Sequence, residues 1–79
     1  MRLYTKNKEL IYFGSRVKYY RLKLGLSQEE LAFKCNLTIS KVSMIETGKV
    51  NIGIITLIRL IKVLRIELND IVDLNPNKD

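Results

Sequence analysis

The side chains of this 79-residue chain that are best placed to hold another molecule lie between residues 38 and 51. This segment is rich in hydroxyl and ammonium groups, which donate hydrogen bonds to phosphates and to other acceptors on a polyanion. Those side chains are Thr38, Ser40, Lys41, Ser43, Thr47 and Lys49. The residue types favour binding over catalysis, because none of them is paired with a base that could activate it.

The rest of the sequence narrows the chemistry further. The chain has no histidine and one cysteine, Cys35. This composition excludes a zinc site whose ligands all come from the protein, an internal disulfide and a histidine-based triad. It also has no P-loop, no glycine-rich dinucleotide turn and no pair of acids at a catalytic spacing. We therefore expect no enzyme activity, no metal, no cofactor and no small-molecule ligand.

The net charge of +6 is concentrated in the first third of the chain. Residues 1–26 carry seven basic residues and one acid, Glu9, whereas residues 27–50 and 51–79 are each balanced. A basic excess of this kind suggests a polyanionic partner. The basic residues before Phe13 either contact that partner as an arm or only steer it from a distance, and the sequence leaves both alternatives open.

Apolar residues recur at helical spacing throughout, and no segment alternates with the period of a strand. The pattern predicts an all-α fold of five short helices, over about residues 8–24, 28–35, 38–47, 54–64 and 68–74. Ser27 with Glu30 forms a capping box at the start of the second helix, and Thr38 is the N-cap of the third. Gly14 lies inside the first helix, where its cost predicts close packing against another element.

The fourth helix is apolar around most of its circumference. We expect its buried stripe to consist of Ile54, Leu57, Ile58, Ile61 and Leu64, which leaves Leu60 among a surplus of apolar residues. A second copy of the chain would cover such a surplus.

The second and third helices are separated by only about three residues, Asn36 to Thr38, and a turn that tight is typical of a helix-turn-helix. If Val42 and Ile45 face the core, the outward side of the third helix carries five other residues. They are Ile39, Ser40, Ser43, Met44 and Thr47. The second helix of such a unit fits the major groove of double-stranded DNA.

Residues 13–74 resemble the helix-turn-helix domain shared by Cro, the phage repressors and the XRE-type bacterial regulators. Three sequence segments carry the resemblance: Gly25-Leu26-Ser27-Gln28-Glu29-Glu30-Leu31-Ala32, Val42-Ser43-Met44-Ile45-Glu46-Thr47-Gly48-Lys49, and Leu57-Ile58-Arg59-Leu60 with Leu64. Their mutual spacing makes the match specific, although any one segment alone would be weak. The resemblance implies a compact five-helix, lambda-repressor-like DNA-binding domain.

The resemblance also implies roles for individual residues. Gln28 would bind a phosphate and support the recognition helix, and Arg21 would form a buried ion pair with Glu46. Residues that would contact DNA are Gln28, Thr38, Ile39, Ser40, Lys41, Ser43, Met44, Thr47, Lys49 and Asn51. A homodimer would form through Arg65 to Leu74, with interface residues Ile66, Leu68, Ile71, Val72 and Leu74.

The sequence departs from the family pattern in the turn and on the outward side of the third helix, and the second departure affects how DNA would be read. Asn36 stands where the family favours glycine in the turn, and asparagine tolerates the left-handed backbone. Ile39 and Met44 replace polar base-reading residues; they can meet a thymine methyl group but cannot form bidentate hydrogen bonds.

The resemblance indicates a sequence-specific regulator that binds an inverted repeat as a homodimer. Within this class the length fits the controller proteins of restriction–modification systems, and a Cro-like phage repressor or a DNA-binding antitoxin fits nearly as well. The apolar residues Ile39 and Met44 favour another alternative, in which the same fold binds a protein.

We expect three segments: an N-terminal extension over 1–12, the DNA-binding domain over 13–74 and a tail over 75–79. Met1 to Leu10 has no apolar core of a signal peptide, and the longest uncharged stretch, Val50 to Ile58, is too short to cross a membrane. We therefore expect a location in the cytoplasm, at the nucleoid.

Overall fold

Five helices follow one another along the chain and are joined by short turns. The computed structural model describes residues 7–76, and within that range it contains no strand. The helices are α1 Lys8–Lys23, α2 Gln28–Cys35, α3 Ile39–Glu46, α4 Ile54–Leu64 and α5 Leu68–Ile71. The predicted all-α architecture is confirmed, and only the last helix differs clearly, because it ends at Ile71 rather than at Leu74.

The helix ends follow the capping signals in the sequence. Ser27 Oγ accepts a hydrogen bond from the Glu30 amide at 2.9 Å, and the Glu30 carboxylate accepts one from the Ser27 amide at 2.8 Å. Asn36 ends α2 in the left-handed conformation, with φ of 58°. Gly25 after α1 and Gly48 after α3 have φ of 73°, a conformation that glycine adopts without steric cost.

The core lies where α1, α2, α3 and α4 meet, and α5 closes one end of it against α1. Its fully buried apolar side chains come from every helix. They are Val17, Leu31, Ala32, Cys35, Val42, Ile45, Leu60, Leu64 and Ile71, with Phe13 nearly buried beside them. The recognition helix predicted from the sequence therefore rests on a shared core rather than on α2 alone.

Backbone contacts without intervening side chains hold α1 against the end of α3. A Cβ at Gly14 would overlap the carbonyl oxygen of Ile45 and would lie 2.9 Å from the carbonyl group of Glu46. A Cβ at Gly48 would lie 2.8 Å from the Cα atom of Ile11. The close packing predicted at Gly14 is confirmed.

The predicted boundary between an extension and the domain, after Tyr12, falls inside α1. Residues 8–12 therefore belong to the folded unit, because they form the first turns of this helix and Ile11 contacts Gly48. Of the three predicted arm residues, Arg2 and Lys6 lie outside the described residues, and Lys8 is the first residue of α1.

The expected buried stripe of α4 is wrong in part, because it omits Leu60 and includes Ile54 and Ile58. Leu60 is fully buried, whereas Ile54 and Ile58 are 64% and 40% exposed. The true stripe, Leu57, Leu60, Ile61 and Leu64, has the same helical spacing as the expected one. Periodicity cannot choose between two stripes when the residues of both are apolar.

No helix among the described residues is both long enough and apolar enough to cross a membrane. Within residues 7–76 no three histidine, cysteine or acidic side chains are grouped so as to hold a metal ion.

Candidate nucleic-acid interface

The turn between α2 and α3 fixes the angle at which α3 leaves α2. It consists of Asn36, Leu37 and Thr38, and the amide of Leu37 donates a 2.8 Å hydrogen bond to the carbonyl of Ala32. Leu37 is also partly buried against the core. Because a left-handed residue, a backbone bond and an apolar anchor all act within three residues, α3 has little freedom relative to α2.

The two sides of α3 differ in chemistry. Val42 and Ile45 are 1% and 2% exposed and face the core, as predicted. On the other side Ile39 and Met44 are 49% and 38% exposed, and Ser40 and Thr47 are also exposed. Lys41 and Ser43 are half-buried at the margins of this face. The outward face is thus a mixed surface of hydroxyl, ammonium and apolar groups.

The beginning of α3 is open to an anion. Thr38 Oγ1 accepts a hydrogen bond from the Lys41 amide at 3.0 Å, and no acidic residue lies in the first turn. The remaining free amides of that turn and the positive end of the helix dipole favour a negatively charged partner. The predicted N-cap role of Thr38 is confirmed, and its contact with a phosphate stays a prediction.

A buried polar network anchors the inward side of α3. Arg21 of α1 donates from Nε to Glu46 Oε2 at 2.6 Å and from Nη2 to Glu46 Oε1 at 3.0 Å. Its Nη1 donates to the Leu26 carbonyl at 2.8 Å. Both charged residues are nearly buried, at 6% and 7% exposure, so the predicted buried ion pair is confirmed. Arg21 is structural in this arrangement.

Gln28 connects this network to the start of α2. Its Nε2 donates to Glu46 Oε1 at 3.0 Å, so the side chain supports the recognition helix as predicted. The sequence pattern did not predict that Glu46 would be the group that Gln28 contacts, since the two residues are distant in the chain and no local signal couples them. The phosphate contact of Gln28 stays a prediction.

The loop after α3 continues the exposed surface. Thr47 Oγ1 donates to the carbonyl oxygens of Ser43 and Met44, at 2.9 and 3.3 Å. Lys49 and Asn51 are exposed, and Asn51 Oδ1 accepts a hydrogen bond from the Ile52 amide at 2.9 Å. Thr47, Lys49 and Asn51 are thus exposed residues that follow α3 directly along the chain, and their contacts with DNA stay predictions.

The C-terminal apolar residues divide between core and surface. Leu68 and Leu74 are 41% and 64% exposed, and Ile66 and Val72 are partly buried. Ile71 is fully buried, so its predicted place in a dimer interface is wrong: its side chain belongs to the core of the single chain. The sequence also missed the tie that holds α5 here, in which Arg16 Nε donates to the Asp70 carbonyl at 3.2 Å.

Burial raises the pKa of the Cys35 thiol, and a weaker attraction from Arg59 opposes that shift. A buried thiol that stays protonated is a poor nucleophile, so Cys35 serves as a small apolar residue of the core.

Two helices joined by a three-residue turn, the second with one face in the core and the other exposed, define a helix-turn-helix domain. The helix-turn-helix family model matches residues 17–71. The crystal structure of the regulator ClgR from Corynebacterium glutamicum has the same fold, with a TM-score of 0.77 at 18% identity over 85% of this chain and 71% of that one.

Similarity in sequence is higher to one group within that family. Control protein C.BamHI from Bacillus amyloliquefaciens is 37% identical over 70 residues, which cover 87% of this chain and 85% of the relative. The restriction-modification controller protein C.AhdI from Aeromonas hydrophila has a TM-score of 0.77 at 35% identity, over 82% of this chain and 98% of that one. This chain belongs to the helix-turn-helix family of DNA-binding transcription regulators, among the restriction–modification controller proteins.

Proposed function

We propose that this protein is the controller of a restriction–modification system, and that it binds an inverted-repeat operator as a homodimer. The outward face of α3 carries the proposal. That face is exposed, begins with free amides and no acid, and is held from behind by the buried Arg21–Glu46 pair. The likeness to controller proteins favours this function over a phage repressor, an antitoxin or a protein-binding module.

In the proposed complex α3 lies in the major groove of double-stranded DNA. Ile39, Ser40 and Met44 face base edges, with Lys41 and Ser43 beside them. Hydroxyl groups can donate to or accept from any base edge, whereas Ile39 and Met44 suit the methyl group of thymine. We therefore expect operator half-sites with thymine at the positions that these two side chains meet.

Phosphate contacts would come from the starts of α2 and α3 and from the loop after α3. They would fix the position of the protein along the DNA. The start of α2 at Gln28 and the start of α3 at Thr38 supply amides and side-chain donors. Thr47, Lys49 and Asn51 follow the groove edge after α3. Such contacts give affinity that depends on salt but carry no sequence information.

The proposed dimer uses apolar residues near the C-terminal end, namely the exposed Leu68 and Leu74 and the partly buried Ile66 and Val72. One eight-residue helix reads too few base pairs by itself, and a two-fold dimer doubles the site. The exposed Ile54, Ile55 and Ile58 at the start of α4 provide further apolar surface that a second copy could cover.

The proposed function requires no catalysis, no cofactor and no small-molecule ligand, because binding to the operator is the whole activity. It also requires access to the chromosome, so we propose that the protein acts in the cytoplasm, at the nucleoid.

Selection of DNA targets from a random library tests the function. We expect the selected sequences to contain an inverted repeat whose half-site centres lie about 34 Å, or one helical turn, apart. Their affinity should fall steeply as salt rises, because bound phosphates release counterions. No enriched sequence, or an affinity that does not change with salt, would overturn the proposal.

The oligomeric state tests the dimer separately. Leu74→Asp puts a charge into the proposed interface and should shift the protein from dimer to monomer in sedimentation. Leu22→Asp is the matched control, since Leu22 is a 57% exposed leucine on α1, outside that interface. Equal behaviour of the two variants would remove Leu74 from the interface.

A further inference from the structure

The basic residues of α1 differ in the groups that their side chains contact. Arg21 is bound to Glu46, and Arg16 is bound to the Asp70 carbonyl and lies 4.7 Å from the ring centre of Tyr19. Lys23 lies 5.8 Å from the same ring centre. Lys8 borders a groove with Tyr12 and the C-terminal segment 72–75. Among the described residues, Lys18 alone in this set has neither a hydrogen bond, an ion pair, a ring contact nor a place in such a groove.

Lys18 lies on the side of α1 that meets the end of α3. Gly14, Lys18 and Arg21 follow one another at helical spacings of four and three, so they share one face. Gly14 contacts the backbone of Ile45 and Glu46, and Arg21 contacts the Glu46 carboxylate. Because Gly14 and Arg21, its neighbours on this face, both contact Glu46, the exposed Lys18 lies at the edge of the α1–α3 contact.

The first residue of α2 also contacts Glu46. This residue, Gln28, donates to Glu46 at 3.0 Å, and the helix begins there with free amides. Lys18 is therefore a free cation on the face of α1 whose neighbours contact Glu46, and Glu46 is also the residue that Gln28 contacts at the start of α2.

We propose that Lys18 binds a phosphate of the operator backbone next to the one held at the start of α2. The DNA interface then extends beyond the helix-turn-helix unit onto α1. This inference rests on the proposed function. It also gives one residue of the basic first third of the chain a direct contact with the polyanionic partner.

Lys8 provides a matched control for this contact. It is an exposed lysine of the same helix, but it lies beside Tyr12 and Asp73, near the C-terminal segment. Replacing either lysine by alanine lowers the net charge by one, so the effect of net charge on association is the same in both variants. A difference between them therefore reports a local contact.

The test measures binding to a random-sequence duplex and to a selected operator at several salt concentrations. For Lys18→Ala the slope of log affinity against log salt should become shallower by about 0.9 for each protomer bound. Affinity should drop roughly fivefold to tenfold per protomer at about 0.1 M salt, equally for both duplexes. Lys8→Ala should keep the wild-type slope, and Lys18→Arg should restore it.

Thermal melting of the variants guards against a fold defect, and none is expected because alanine is the best helix former. If Lys18→Ala has the same slope as Lys8→Ala while the wild type binds with a steep salt dependence, the Lys18 contact is wrong and the proposed function stands. If the wild type itself binds neither duplex, both proposals fail.

Discussion

The two helices of the helix-turn-helix unit are built alike but begin differently. Both α2 and α3 have eight residues, and each starts with a hydroxyl N-cap that accepts a hydrogen bond from the third amide of its helix. In α2 the residue at that third position is Glu30, which completes the capping box. In α3 it is Lys41, and the first turn contains no acid.

In the proposed complex both helix starts hold a phosphate, but only the start of α3 does so without an acid in its first turn. A carboxylate in the first turn typically stabilises a helix by about 0.3–1 kcal/mol. The first turn of α3 lacks that stabilisation, and a carboxylate there would repel a phosphate at the same amides. Glu30 can complete the cap of α2 because, in the proposed complex, its side chain turns back to Ser27 rather than toward the DNA.

The start of α2 and the end of α3, the two ends farthest from the turn, are joined through the buried carboxylate of Glu46. Glu46 accepts from Arg21 of α1 and from Gln28 of α2, so α3 is held in register with both. The contacts that fix the position of the outward face of α3 are therefore made by its inward face.

The largest effect is expected from Glu46→Ala. It leaves the guanidinium of Arg21 buried without its partner, which typically costs about 3–5 kcal/mol of the free energy of unfolding. For a domain of this size that is a large share of the total. Urea unfolding measures the loss, and Glu29→Ala, which removes an exposed acid from the first turn of α2, should cost only a small fraction of that amount. Similar midpoints for the two variants would contradict the account of the buried network.

The next effect separates stability from binding at the start of α3. Lys41→Glu gives α3 the capping box of α2 and should raise the free energy of unfolding by about 0.3–1 kcal/mol. The same change should lower affinity for DNA by about tenfold at about 0.1 M salt, because it removes the Lys41 cation from its place beside a phosphate in the proposed complex. Melting and titration with duplex DNA measure the two quantities.

Lys8→Glu is the control for that variant, since it also adds an acid to the first turn of a helix, α1. Its affinity should fall much less, through net charge alone. An equal loss for the two variants would mean that the start of α3 has no special place at the DNA.

A smaller effect is expected from Ile39→Ala on the outward face. Removing the apolar contact with a thymine methyl group should relax the preference at one base position by about 1 kcal/mol. The salt slope should not change, because no phosphate contact is lost. Selection of targets with the variant measures this, and an unaltered preference would remove Ile39 from the base-reading set.

The smallest effect concerns the cap of α2. Hydrogen bonds from the backbone and side chain of Ser27 hold the pKa of Glu30 below its usual range. A lowered pKa in the folded state means that the unfolded chain binds more protons, so Glu30 stabilises the fold above its unfolded pKa. That contribution is lost as the pH falls through the folded pKa. Melting at acidic pH should show this part of the loss in the wild type and not in Glu30→Gln.

The helix bounds and caps could be read from the sequence because their signals are local. Ser27, Thr38, Asn36 and Gly48 each act on neighbours within four residues. The Arg21–Glu46 pair could be named only through the family resemblance, since the two residues are 25 positions apart.

The orientation of apolar helices could not be predicted. In α4 two adjacent stripes are equally apolar, and tertiary contacts with α1 and α2 decide that Leu60 is buried rather than Ile58. In α5 four residues are too few for a period, so Ile71 could not be distinguished from Leu68.

The most direct test of the central claim is to map amide chemical shifts of the protein as a selected operator duplex is added. We expect the shifts to concentrate at the outward face of α3, the loop 47–51 and the first residues of α2. The amides of α4 from Ile55 to Leu64 should change little. Shifts centred on α4, or none at residues 38–44, would contradict the account that the start and outward face of α3 bind DNA.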